Sequence, residues 1–260
     1  MRVLLHEMAG NEIGWMAWCL DAHGFATWAS SEAEVLGRVP TKLAEYQSWL
    51  VEHGLACPDV GGDVRVVERV RGNEILFSWD YGPCAAAEID HTLRLLSASR
   101  SDLVKTIEAL PEAALDWDPP YQAFAEWATW RSIRAILAHM ANCETHYYLS
   151  TVGHESGLPP APPDGDWATF LAAHREEAVA FLRQLAASPD RARVCFGDDG
   201  AWSVRKVLRR LVWHERLHWK SIRRIGRAFE CCTRPGELAG HRLRETDAQH
   251  PPCALGVELS

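Results

Sequence analysis

Residues 202–227 read WSVRKVLRRLVWHERLHWKSIRRIGR, and the arrangement of apolar, basic and imidazole side chains in this stretch decides how the rest of the chain is read. Val204, Val207, Leu208, Leu211, Ile222 and Ile225 recur at the three- and four-residue spacing of an amphipathic helix. The helix is expected to follow Gly200, with Ser203 able to cap it, and to run to about Arg227. Projected at about 100° per residue, His214 and His218 fall inside the apolar stripe, one turn apart. Each buried imidazole needs partners for its nitrogens. The two are either core residues satisfied by neighbours or a pair aimed at one metal ion, and the second reading is the better one. The opposite side carries Arg205, Lys206, Arg209, Arg210, Arg216, Lys220, Arg223 and Arg224. That face either meets an acidic partner or anionic ligand, or is a solvated face paired with carboxylates elsewhere. On an acidic chain the solvated face is expected.

Upstream, a second helix is expected from Ser132 to about Leu149, with Ile133, Ile136, Leu137, Met140 and Tyr147 as its core face. His139 flanks that face beside Cys143, and His146 lies one heptad further on. His139 draws its weight from the pair downstream. Three imidazoles leave coordination positions open, the arrangement of a catalytic rather than a closed structural site. The neighbouring residues have plainer readings. Cys143 could ligate or react but reads as a small hydrophobe. Glu144 and Glu215 are either carboxylates that orient imidazoles or members of exposed ion pairs. His174 is expected in the core or a pocket wall, and His91 on the surface. Trp127, Trp130, Trp202, Trp213 and Trp219 could line a pocket but are expected to be packing. Arg134 and Arg205 could hold a carboxylate, although solvated helix faces are rich in arginine.

Two further helices complete the pattern. Ile89, Leu93, Leu96, Leu103, Ile107 and Leu110 mark one, and Trp167, Phe170, Leu171, Ala178, Phe181, Leu182 and Leu185 the other. Between the second and third lies a crossover, Gly153 to Asp166, whose prolines exclude regular structure. Four helices with one long middle crossover predict a four-helix bundle that is not simply up-down-up-down. The second and fourth helices also open alike, Trp130-Arg131-Ser132-Ile133 and Trp202-Ser203-Val204.

The N-terminal part reads as a small β-β-α domain. Val3, Leu4 and Leu5 begin a strand, Trp15 to Leu20 form a second, and Ser31-Glu32-Ala33-Glu34 can cap a helix. Pro40 predicts a kink or break in that helix, and His53-Gly54 its end. Val64 to Val70 suggest a third strand and Ile75 to Trp79 a fourth, before a linker at Asp80-Tyr81-Gly82-Pro83. The fold class expected is therefore α+β. An accessory domain spans 1–80, a four-helix bundle 84–230 and an irregular tail 231–260.

Composition narrows the function. The 260 residues carry a formal net charge of −8, which gives no global attraction to phosphate backbones or anionic lipid. Twelve Trp supply ample core. No apolar run approaches the roughly 20 residues of a membrane span, and His6, Glu7, Asn11 and Glu12 interrupt any leader segment. Eight scattered cysteines without a CxxC pair read as reduced thiols of a cytoplasmic protein.

The motif Trp130-x-Ser132-Ile133-x-x-Ile136-Leu137-x-His139, followed by His214-x-x-x-His218, resembles the DinB superfamily of four-helix metalloproteins over residues 86–228. The resemblance implies a divalent metal, zinc or nickel, held by His139, His214 and His218. It also implies a thiol-dependent S-transferase or isomerase acting on a small electrophile with a low-molecular-weight thiol. Gly14-Trp15-Met16-Ala17-Trp18, the His23-Gly24 turn and Ser31-Glu32-Ala33-Glu34 resemble the HicB-like domain over residues 1–70. Residues 1–54 hold three basic and seven acidic residues, which speaks against nucleic acid as a partner. The alternative function is a non-catalytic metal-binding protein whose N-terminal domain contacts another protein or forms a homodimer. An antitoxin-like regulator ranks last.

Overall fold

The computed structural model describes residues 1–10, 12–60, 62–120, 128–162, 166–198 and 200–233. It is an α+β protein in which an N-terminal β-sheet region precedes a helical region. The sheet has the order β3-β2-β1-β4, with β1 Arg2–Ala9, β2 Ile13–Cys19, β3 Ala26–Ala29 and β4 Arg65–Gly72. β1 pairs antiparallel with β2 and parallel with β4, and β2 pairs antiparallel with β3. Helix α1, Glu32–Glu52, connects the two edges. Ser31 caps it by accepting the Glu34 N–H at 3.3 Å.

Several local expectations change. Pro40 does not break α1, because it is exposed while the buried ridge of Val35, Val39, Leu43, Tyr46 and Leu50 runs on unbroken behind it. β3 was not foreseen; it has only four residues and follows directly on the His23-Gly24 turn. Ile75 to Trp79 form no strand. The Asp80 carboxylate accepts the Phe77 N–H at 2.9 Å and Glu68 accepts that of Ser78 at 2.9 Å. These side chains take up the donors a ladder would use, and a 3₁₀ turn, Ser78–Tyr81, results.

The helical region contains α2 Ala86–Glu108, the short α3 Glu112–Leu115, α4 Ile133–Asn142, α5 Trp167–Ala186 and α6 Val204–Thr233. A hairpin of β5 Val194–Gly197 and β6 Gly200–Ser203 precedes α6. The helix starts at Val204, with Ser203 at its cap, and continues through Cys231 to Thr233, into what was expected as irregular tail. The rest of that tail, and Trp127, lie outside the described residues. α2 packs on α5 and α6, and α4 packs on the same two helices.

α6 is central. One core cluster runs without interruption from Val3, Leu5, Met16 and Trp18 of the sheet through Val39 and Leu43 of α1 to Leu208 and Val212 of α6. Gly24 adopts φ +77°, and a Cβ there would collide with Val212, so glycine lets the β2–β3 turn press directly on α6. A second cluster unites Leu103, Ile107, Leu137, Met140, Phe170, Ile222 and Ile225 at the far end of the helices.

The basic face of α6 is not the solvated face expected. Lys206, Arg209, Arg210 and Arg216 are all buried. Its upper part is neutralised by Glu74 and Asp80, which precede the helical region, and by Glu88 of α2: Lys206 pairs with Glu74 at 2.8 Å, Arg210 with Glu74, Arg209 with Asp80, and Arg205 with Glu88 at 2.8 Å. The carboxylates were expected in general terms; the location of Glu74 and Asp80, in the stretch read as strand and linker, was not.

Candidate metal centre

α4 begins at Ser132, whose hydroxyl accepts the Ala135 N–H at 3.3 Å, and Ser203 repeats the cap for α6 through the Lys206 N–H at 3.2 Å. Two turns into α4 stands His139. After Asn142 the helix widens into a π-helical stretch, Cys143–Leu149, a departure that is rare and, when it occurs, frequent at functional sites. Cys143 opens that stretch, one turn beyond His139.

α6 brings His214 and His218 to the same point. His214 Nε2 lies 3.3 Å from His139 Nε2 and 3.0 Å from His218 Nε2. Cys143 Sγ lies 3.7 Å from His139 Nε2 and 3.4 Å from its Nδ1. His139, Cys143 and His214 each offer a donor atom within 4.8 Å of the others, a grouping that could hold a metal ion. His214, His218 and Cys143 are buried and His139 is half-buried. Trp130 stacks on His139 with ring centroids 3.6 Å apart, and Tyr148 meets His214 edge-on at 5.3 Å.

The donor spacing suits a metal. Ligand bonds of about 2.0–2.1 Å to nitrogen and 2.3 Å to sulfur on a tetrahedron put nitrogens roughly 3.3 Å apart and sulfur roughly 3.6 Å from nitrogen. Burial, reinforced by the neighbouring imidazoles, holds His139 and His214 well below the ordinary histidine range. Burial also pushes His218 down to about 3, with Glu215 partly opposing it. All three rings are thus neutral near pH 7 and present lone pairs, as metal binding requires.

Behind the cluster, one charged residue from each of four helical segments joins a ring. Arg100 of α2 pairs with Glu215 of α6 at 2.7 Å and with Glu144 of the π-helical stretch at 3.3 Å. Arg175 of α5 pairs with Glu144 at 2.6 Å and with Glu215. Glu144 and Glu215 are therefore neither exposed nor bonded to the imidazoles. They adjoin Cys143 and His214 in sequence and anchor those two positions through arginine.

The other singled-out residues fall outside the cluster. His174 is a satisfied core histidine, with Nδ1 2.6 Å from Thr145 Oγ1 and Nε2 3.2 Å from the Pro159 carbonyl. His146 faces His174, not His139. His91 is half-buried near His23 rather than on the surface. Arg134 holds Asp116 and Glu112. Trp202 is fully buried beside Tyr147, and Trp219 donates to Thr106. Cys143 is the residue that sequence reasoning undervalued; its one-turn spacing from His139 was the available signal.

These features define a helical protein with a buried imidazole and thiol cluster at the meeting of α4 and α6. A family model described as the DinB superfamily matches residues 95–222, just under half of the chain and including all four donors. The match supports that superfamily for this segment. No curated protein and no solved structure matches the chain. No helix among the described residues is long and apolar enough to cross a membrane.

Proposed function

We propose that the chain is a DinB-like metal-binding protein in which His139, His214 and His218 hold a divalent ion, zinc or nickel. The observation that carries this reading is that His214 Nε2 lies 3.3 Å from His139 Nε2 and 3.0 Å from His218 Nε2, separations suited to ligands of one ion. α2, α4 with its π-helical extension, α5 and α6 are read as the four-helix bundle of that family, residues 84–230. Residues 1–80 are read as a HicB-like accessory domain that contacts a protein partner or a second copy.

The activity proposed is a thiol-dependent S-transfer or isomerisation on a small electrophile. A divalent ion held by His139, His214 and His218 would lower the pKa of an incoming low-molecular-weight thiol and so supply a thiolate nucleophile at neutral pH. The protein's own contribution is positional. Trp130 fixes the His139 ring, Tyr148 walls His214, and the Arg100–Glu215–Arg175–Glu144 ring holds the flanking backbone.

Cys143 favours a second reading. Its sulfur can close the coordination sphere as a fourth ligand, and closed sites are structural rather than catalytic. In that case the metal stabilises the fold and function rests with the N-terminal domain. The cysteines of the described residues are all free thiols, which supports a reducing, cytoplasmic setting for either reading.

Elemental analysis of untagged wild-type protein and of His214→Ala tests the proposal. One equivalent of metal in wild type, lost in the variant, is expected. Metal-free protein after incubation with zinc and with nickel would overturn it.

A further inference from the structure

The reverse side of α6 forms one wall of a second feature, a cleft of about 550 Å³ facing β3 and α1. Arg38 and Lys42 line it from α1, and Arg216, Lys220, Arg223 and Arg227 from α6. Glu45 is its only carboxylate among the described lining residues, and it already sits 2.9 Å from Lys42 Nζ. Arg38 is paired with Glu34. The four cations on α6 have no ion pair among the described residues.

Arg216 is the most telling of them. It is 7 % exposed, its guanidinium lies 3.7 Å from the Trp49 ring centre and 4.8 Å from that of Tyr46, and its Nη1 has no hydrogen-bond partner. A buried cation that makes no direct ion pair is unfavourable, and Asp102 offsets the Arg216 charge only from a distance. The chain has a surplus of carboxylates, with a net charge of −8, yet among the described residues the cleft is lined by Glu45 alone, and Asp102 acts on Arg216 without forming an ion pair. The same helix pairs its Lys206, Arg209 and Arg210 with carboxylates a few turns earlier. The cations lining the cleft thus outnumber the described carboxylates that face them.

We propose that this cleft binds a multiply charged phosphate ester of small-molecule size. Arginine forks match phosphate oxygens in geometry as well as charge. The volume lies in the range of small-ligand pockets, and the buried Phe25 and Trp213 on its wall suit the organic part of an ester. The concave shape and the acidic remainder of the chain disfavour a nucleic acid polymer, which needs an extended basic stripe. The cleft lies on the side of α6 opposite His214 and His218, so it is independent of the metal reading.

Calorimetric titration of the full chain with inorganic tripolyphosphate tests this. The variants are Arg223→Ala with Arg227→Ala, both exposed positions, and Lys42→Gln on the opposite wall. Saturable one-to-one binding is expected, weakened about tenfold or more by the double variant, less by Lys42→Gln, and reduced by salt. Thermal melting and metal content should stay as in wild type. Absence of binding at millimolar tripolyphosphate, or binding indifferent to all three substitutions, would overturn the proposal. Tighter, variant-sensitive binding of single-stranded DNA or of an oligoglutamate peptide would replace the small-molecule ligand with a polymer and overturn it as well.

Discussion

His214 Nε2 stands within 3.3 Å of the Nε2 atoms of both His139 and His218, so it is the shared vertex of the cluster, although its partners come from different helices. Removing it separates the other two donors as well as deleting one. His214→Ala should lower zinc affinity by well over about 100-fold, measured by competition with a chelator. Trp130→Leu, which frees the His139 ring without removing a ligand, should cost about 10–100-fold, the usual effect of losing a group that orients a ligand. Affinities indifferent to either change would remove the imidazole cluster from metal binding.

Cys143 decides between open and closed coordination. Its sulfur lies 3.7 Å from His139 Nε2, close to the sulfur–nitrogen edge of a mixed tetrahedron. Under the proposed open site, cobalt-substituted wild-type protein should lack a thiolate-to-cobalt band until a low-molecular-weight thiol is added. Cys143→Ala should behave in the same way. A band in wild type without added thiol, lost in Cys143→Ala, would instead favour the closed, structural arrangement.

The helical part was legible because its signals are local and repeated. The stripe from Val204 to Ile225 fixes the orientation of α6, and that orientation alone puts His214 and His218 together. Ser132 and Ser203 mark their helix starts by chemistry that acts within three residues. What stayed hidden depends on partners distant in sequence. The basic side of α6 looks like a solvated face until Glu74 and Asp80 are brought to it across more than 120 residues. Ile75 to Trp79 carry strand-forming side chains, yet Asp80 and Glu68 bind their backbone N–H groups. Cys143 reads as a small hydrophobe because its one-turn spacing from His139 fits core packing equally well until His214 arrives from α6 to complete the group. Pro40 misled in the opposite direction, since its local penalty is outweighed by the continuous buried ridge on the other side of α1.

Arg100 ties three elements together, reaching Glu144, Glu215 and the Leu171 carbonyl. Breaking a buried ion pair by removing one partner typically costs about 3–5 kcal/mol. Arg100→Ala should destabilise the protein by an amount of that order in urea unfolding. The combined Arg100→Met and Glu215→Leu change should cost less than the sum of the single changes, because each single variant leaves the other charge buried. Additive losses would show that the ring is not an energetic unit.

Glu12 is buried, its Oε1 lacks a hydrogen-bond partner, and burial pushes its pKa up to about 8, with Glu74 adding to the rise and Arg210 opposing it. The folded chain thus keeps this proton up to about pH 8, whereas the unfolded chain releases it near the ordinary value of 4.5. Between those limits the folded state binds more protons, so the Glu12 contribution is fully present below 4.5 and is lost as pH rises through about 8. Glu12→Gln has no such proton to lose. Its stability relative to wild type should climb between pH 5 and pH 8 and then level off, by an amount on the order of 1–3 kcal/mol. Lys206, whose burial lowers it to about 8, and His6 and His23, lowered by burial to about 4, impose pH dependences of the opposite sign. They act in both proteins and cancel in the difference. Denaturant unfolding of the two proteins across this range measures it, and parallel curves would show that Glu12 is ionised in the folded state.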